Sequence, residues 1–419
     1  MIRRYRLKLK KYSMGIGDRF GKQGMAQLTA LLKAKESGAD ITPIWNKSFR
    51  EHQIIGTTPD AVRKEADQSI KSLGWSGAYY VDADHVNLKT VNDFISSSDF
   101  FTLDVADAIG ENANPDCIQQ FVNNYNYLIG TLSIQGLTEP VTINADFIYH
   151  TADKYLFAVQ EAGRIYQYIK DNKKGDFITE VSMDETDSPQ SPQELLLILA
   201  MIKEEGIPAQ TVAPKFSGRF NKGVDYVGDP TQFTQEFEAD LAIIQYAVQN
   251  FELSDNLKLS VHSGSDKFML YPIIKSAIQK FDAGIHLKTA GTTWLEELIG
   301  LAEAQNEGLE IAKKIYGLAY QRFDALCQPY ATVIDINFNM LPKPEVVQKW
   351  NGSQYAHALR HNQNHPDYNM HFRQLLHVGY KIAAEMGTEY FNALDRYQEI
   401  VGHHVTENLF ERHIKPLFL

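Results

Sequence analysis

Short apolar runs alternate along the chain with longer stretches in which apolar side chains recur every three or four positions. The short runs fall at residues 42–45, 78–82, 100–105, 178–182, 211–216, 257–262 and 285–289. They are rich in β-branched and aromatic residues and read as strands. The longer stretches, 60–73, 144–170, 192–205, 232–251, 268–281 and 294–304, read as amphipathic helices. A last apolar run, 332–336, supplies an eighth strand. A helix between successive strands implies parallel pairing, because a parallel crossover needs a dozen or more residues. Eight such units predict a closed barrel. An open dinucleotide-binding sheet is disfavoured, since Ser13-Met14-Gly15-Ile16-Gly17-Asp18 lacks the third glycine at the required spacing.

After Pro342 the pattern changes to a stretch rich in Pro, Asn, Gln and His, followed by helical periodicity over 373–386 and 391–401. The predicted class is therefore α/β: a (β/α)8 TIM-type barrel over residues 1–341, with a C-terminal helical extension over 342–419 covering the barrel mouth.

Composition narrows the function classes. A 44% hydrophobic and 22% charged chain can bury a large core. A net charge of −11 argues against nucleic acid as a partner, because phosphate backbones require clustered positive charge. Two cysteines, Cys117 and Cys327, point to a reducing, cytoplasmic compartment. The basic start, residues 1–11, is not followed by a signal-peptide core, and no run reaches the roughly 18 apolar residues of a membrane span. A small-molecule substrate is expected; assembly into a homo-oligomer stays open.

In a barrel, chemistry sits where strands end and the following loops begin. Those positions hold Asp82-Ala83-Asp84-His85, Met183-Asp184-Glu185-Thr186-Asp187, Pro214-Lys215, His262-Ser263-Gly264-Ser265-Asp266-Lys267 and Lys288-Thr289. His85 and His262 lie at strand ends with carboxylates nearby. Imidazole plus carboxylate suits zinc, manganese, nickel or cobalt with a position left for substrate. Asp229 precedes Pro230 and a helix, so it reads equally as a helix cap; Asp225 is the other carboxylate of that loop. Lys215, Lys267, Lys288 and Arg373 are placed to bind a carboxylate, Ser263 lies in a small-residue turn, and His371 stands at a helix start.

At these motifs the sequence resembles the tagaturonate/fructuronate epimerases, a family that includes fructose/tagatose 4-epimerases. The matching stretches include Ser13 to Phe20, Asp82 to His85, Ser182 to Asp187, Lys222 to Asp229, Ser260 to Lys267 and His371 to His377. The resemblance implies a divalent metal held by His85, Asp229 and His262, an acid–base pair of Asp84 and Glu185, and substrate contacts from Lys215, Asp225, Ser263, Lys267, Lys288, His371 and Arg373. The implied substrate is a keto-hexuronate or the matching ketohexose. Its epimerised carbon is β to the ketone, so its hydrogen is not acidic. Retro-aldol cleavage, rotation and re-addition evade that problem, with a metal as Lewis acid and a carboxylate accepting the hydroxyl proton. An aldose–ketose isomerase or class II-type aldolase is the alternative.

Overall fold

The computed structural model of the protein describes residues 7–186 and 188–419, so Asp187 and the first part of the basic start lie outside the described residues. Ten strands occur among the described residues: β1 (Tyr12–Ile16), β2 (Ile41–Ser48), β3 (Tyr80–Val86), β4 (Phe100–Asp104), β5 (Gly130–Leu132), β6 (Val141–Ile143), β7 (Ile178–Ser182), β8 (Thr211–Ala213), β9 (Lys258–Val261) and β10 (Ile285–Lys288). Eight of them close a barrel in the order β1-β10-β9-β8-β7-β4-β3-β2, and β5 and β6 form a separate hairpin. Every barrel pairing is parallel. The predicted TIM-type barrel is the fold.

One strand differs from expectation. Residues 332–336 are not a strand; the closing position belongs to β1, which pairs with both β10 and β2. The physical reason lies in β1's inward side chains. Ser13 and Gly15 alternate with Met14 and Ile16, and a Cβ on Gly15 would come within 3.1 Å of Lys288. Lys288 fills that space, so a small residue is required and the strand loses the apolar signature that sequence reading looks for. The 332–336 segment instead lies over the loop after β8, where the Lys222 N–H donates to the Val333 carbonyl at 2.8 Å.

Strand periodicity sorts the side chains into two environments. Outward residues such as Phe101, Leu103, Val181, Leu259 and Leu287 join the main core with the surrounding helices. Inward residues form layers. Leu9, Ile44, Tyr80, Phe100 and Ile178 make a small separate apolar layer with Leu7 packed against it. One step along each strand, the layer turns polar: Asp82, Thr102, Glu180, Ser260 and His286 are all buried. The next step reaches the rim, with Asp84, Asp104, Ser182, His262 and Lys288.

Helices start where the sequence provides caps. Ser191 and Glu194 form a capping box ahead of Pro192–Glu204, and Asn144 caps the long helix Ala145–Asn172. Beyond helix Thr293–Glu303 the regular elements are all helices. Trp294, Leu298, Tyr316, Phe372 and Tyr390 gather there in a second apolar cluster. Each large side chain so buried contributes about 1.5–3 kcal/mol. The Trp294 indole N–H donates to the Leu376 carbonyl at 2.6 Å, tying the helix after β10 to helix Met370–Val378.

Candidate active site at the barrel rim

A bulge builds the first part of the site. Ala83 pairs with Phe101 and Val86 with Leu103, so three steps along β3 oppose two along β4. The additional residue falls at Asp84-His85, and His85 takes a left-handed φ of 54°. Regular alternation would send consecutive side chains to opposite faces. The bulge instead lets both face the mouth. Asp84 Oδ1 lies 2.7 Å from Lys288 Nζ, while the His85 ring stands 5.1 Å from the His262 ring. A histidine held in this backbone region costs about 1–3 kcal/mol, which the surrounding structure must offset.

His85, Asp184 and His262 each offer a ligand atom, and these atoms lie within 4.8 Å of one another. The Asp184 carboxylate is aimed by the Ser182 hydroxyl, which donates to Oδ1 at 2.5 Å. His262 Nδ1 lies 3.0 Å from Asp184, and its Nε2 lies 2.7 Å from the buried Glu180 carboxylate. That is the arrangement of a ligating histidine whose second nitrogen is fixed by a carboxylate. His85 Nδ1 is buried 3.4 Å from Asp104 Oδ2, without the geometry of a hydrogen bond.

Electrostatics agree with a cation cradle. Burial works to lower the His85 pKa, yet Asp84, Asp104 and Asp184 outweigh it and raise it to about 10. For His262 burial is likewise outweighed, by Asp184 and Glu180, and its pKa rises to about 9. Burial alone would raise the Asp184 pKa, but His262 and His85 hold it well below the ordinary carboxylate range. These carboxylates make a strongly negative environment around two imidazoles, and the donor chemistry fits a zinc-like divalent ion.

Lys288 organises the adjoining acid. Its ammonium lies 2.9 Å from Asp82, 2.7 Å from Asp84 and 3.1 Å from Glu180, and it donates to Thr102 Oγ1 at 2.7 Å. Burial opposes ionisation of Asp84, but Lys288 and His85 prevail and hold its pKa down at about 2. Asp82 goes the other way. Burial dominates there, Asp84 and Glu180 add to it against Lys288, and its pKa rises to about 7. Two neighbouring carboxylates are thus pushed apart, one kept ionised and one able to carry a proton near neutrality.

The remaining predicted residues are placed as follows. Asp229, expected as the third ligand, is an exposed helix N-cap whose carboxylate accepts the Thr231 N–H at 2.8 Å; Asp184 completes the three-donor group instead. Asp225 accepts the backbone N–H groups of Tyr226 and Met269. Glu185 is exposed on the turn after β7. Lys267 is buried and donates to three carbonyls, of Asn221, Val224 and Ser265, so it is spent on loop structure and not free for a substrate. Arg373 is likewise consumed, by the carbonyls of Gly223 and Leu359 and the carboxylate of Asp266. His371 Nδ1 accepts the Asn337 N–H, and Ser263 accepts a hydrogen bond from Lys222. Lys215 follows β8, half-buried, with its backbone N–H on Gln190. Sequence reasoning did not assign Asp82, Thr102, Glu180 or Asp184. The available signal for two of them was a carboxylate at the third position of both β3 and β7.

A closed parallel barrel with acids, imidazoles and a lysine converging at the C-terminal strand ends is the architecture of a (β/α)8 enzyme. A family model described as tagaturonate epimerase matches residues 2–417. The chain belongs to the tagaturonate epimerase family and is an epimerase of the isomerase class. The tagaturonate/fructuronate epimerase of Thermotoga maritima is 28% identical over 423 residues, covering 97% of this chain and 80% of that protein. The native crystal structure of the fructuronate-tagaturonate epimerase from Cohnella laeviribosi matches with a TM-score of 0.80 at 22% identity, over 98% of this chain and 82% of that one. A glycerol-bound crystal structure of the same Cohnella protein gives the same figures. At that identity, the structural likeness speaks for the shared fold.

Proposed function

We propose that this tagaturonate/fructuronate epimerase depends on a divalent metal and inverts C3 of the uronate (C4 of fructose and tagatose) by retro-aldol cleavage and re-addition. The observation that carries the reading is the group His85, Asp184 and His262, all within 4.8 Å, beside an Asp84 kept ionised by Lys288. These three side chains would hold the ion, whose chemistry when bound is Lewis-acid stabilisation of charge developing at the ketone end of the substrate.

The chain's own groups do the rest. Asp84 accepts the proton of the C3 hydroxyl as the C3–C4 bond breaks, and the second group of the pair returns a proton on the opposite face on re-addition. Lys288 keeps Asp84 ionised and, through the same contacts, orients it. Glu185 is the second acid–base group in this reading, acting on the other face of the rotated aldehyde. The same chemistry extends to D-fructose and D-tagatose, which share the β-hydroxyketone. The chain is read as a barrel unit, residues 1–341, with the extension 342–419 over its mouth. Arg373 and Gln374 of the extension bond to the carbonyls of Gly223 and Lys222, in the loop after β8. The free Cys117 and Cys327 suit a cytoplasmic enzyme.

Metal depletion followed by add-back, with fructuronate and fructose assayed side by side, tests the reading. Activity is expected to vanish on chelation, return with zinc, manganese, nickel or cobalt, and give the epimer alone. Full turnover by rigorously depleted protein overturns it. An aldose product or released three-carbon fragments favours the isomerase or aldolase alternative.

A further inference from the structure

The residues expected from sequence to bind the substrate carboxylate are largely occupied elsewhere, and a different set stands beside the proposed metal ligands on the rim. The metal-binding and acid–base groups come from the ends of β3, β7 and β9. The loops after β8, β9, β10 and β1, adjacent in the barrel order, bring together Lys222, Ser263, Gly291 and Arg19. Helix Met370–Val378 lays His377 over them.

Several observations mark this as a ligand pocket. Lys222 Nζ donates to Ser263 Oγ at 3.0 Å, one residue beyond the proposed metal ligand His262. Among the described residues no carboxylate lies within salt-bridge distance of Lys222, whereas Lys288 has three and Arg373 one. His377 is only 5% exposed, so its imidazole is held against these loops. A Cβ on Gly291 would lie 3.2 Å from His377 Nε2 and 3.8 Å from Arg19 Nη2, so the glycine backbone lets both polar groups converge there. Gly223, with φ +72°, likewise lets the backbone approach His377 Cδ2, to which a Cβ would come within 3.1 Å. Arg19 is held in place by an ion pair to Glu51 and by stacking 4.6 Å over the Tyr380 ring, and its buried Nε has no partner among the described residues. Burial, then Arg19 and Lys222, keep the His377 pKa well below its ordinary value, which leaves a neutral imidazole with one N–H to donate.

We infer that Lys222, with Ser263, His377 and Arg19 around it, forms the subsite that receives the carboxylate of a keto-hexuronate and distinguishes it from a neutral ketohexose. The ligand identity rests on the epimerase reading. The chemistry is that of an unneutralised ammonium and fixed neutral donors around a small cleft, which a carboxylate satisfies and a hydroxymethyl group does not.

Steady-state kinetics on fructuronate, with calorimetric binding of D-gluconate as a non-reacting six-carbon carboxylate, test this. Lys222→Met is expected to raise KM for fructuronate about 10- to 100-fold with kcat changed less than about threefold. Gluconate binding should weaken by the same factor, at unchanged metal content and melting temperature. Lys222→Arg should restore most of both. Unchanged KM and gluconate affinity in Lys222→Met overturns the proposal, as does a loss confined to kcat. A KM rise in Lys215→Met but not in Lys222→Met also overturns it, by moving the contact to a different lysine of the loop after β8. Loss of gluconate binding in Lys222→Met, when the wild-type protein fails to convert fructuronate, leaves the carboxylate subsite standing and refutes the activity instead.

Discussion

Asp184 and Asp229 stand at two barrel loops only one unit apart, and their surroundings give them opposite duties. Asp184 is aimed at two imidazoles by a serine hydroxyl. Asp229 faces solvent and closes the first turn of a helix. Asp184→Asn should therefore lower metal retained after dialysis by tenfold or more, measured by elemental analysis. Asp229→Asn should leave metal content alone, and Asp229→Ala should cost about 1 kcal/mol in unfolding experiments through the lost cap. Equal metal loss from both variants would contradict the assignment. His85, His262, Asp84 and Lys288 were legible from sequence because a polar residue directly after an apolar strand has few places to point. Asp229 was ambiguous because an acid before proline satisfies a cap and a ligand motif alike. Lys267 and Arg373 misled for another reason: sequence does not reveal whether a long cationic side chain meets solvent or is taken up by backbone carbonyls.

At the scale of elements, the loop after β8 is held from inside by Lys267 and from above by Arg373. Lys267→Met would leave three carbonyls short of a donor, each worth about 1–3 kcal/mol when buried and unpaired. We expect faster amide exchange across residues 221–224 in that variant, with a raised KM because Lys222 and Gly223 belong to this loop. Exchange rates matching wild type would show that the loop holds itself. The barrel order itself followed from strand and helix periodicity for seven of eight strands. The eighth, β1, was hidden because Ser13 and Gly15 yield their space to Lys288, and the bulge at Asp84-His85 has no periodic signature at all.

For the whole molecule, the helix after β10 joins the barrel to the C-terminal helices. At its end Glu303 meets Arg360 at 2.8 Å and His404 at 3.0 Å. The His404 hydrogen bond, with burial opposing and Arg360 assisting, lowers the Glu303 pKa to about 2. A carboxylate depressed on folding adds stability at pH above its ordinary range of about 4 and loses it as pH falls through about 2. Wild-type protein should thus unfold at a higher denaturant concentration than Glu303→Gln at pH 6, with the gap closing between about pH 4 and 2. A constant gap across that window would assign the difference to packing.

The barrel has a stopper. Leu9, Ile44, Tyr80, Phe100 and Ile178 plug the tube beneath the polar layer. If the sugar is split in two here, as proposed, it has one doorway, and fidelity becomes a race between an aldehyde turning over and the same aldehyde drifting out through the opening it entered by. On that reading, keeping the race one-sided would fall to whatever roofs the doorway, and the helices that end the chain would guard yield as well as shape.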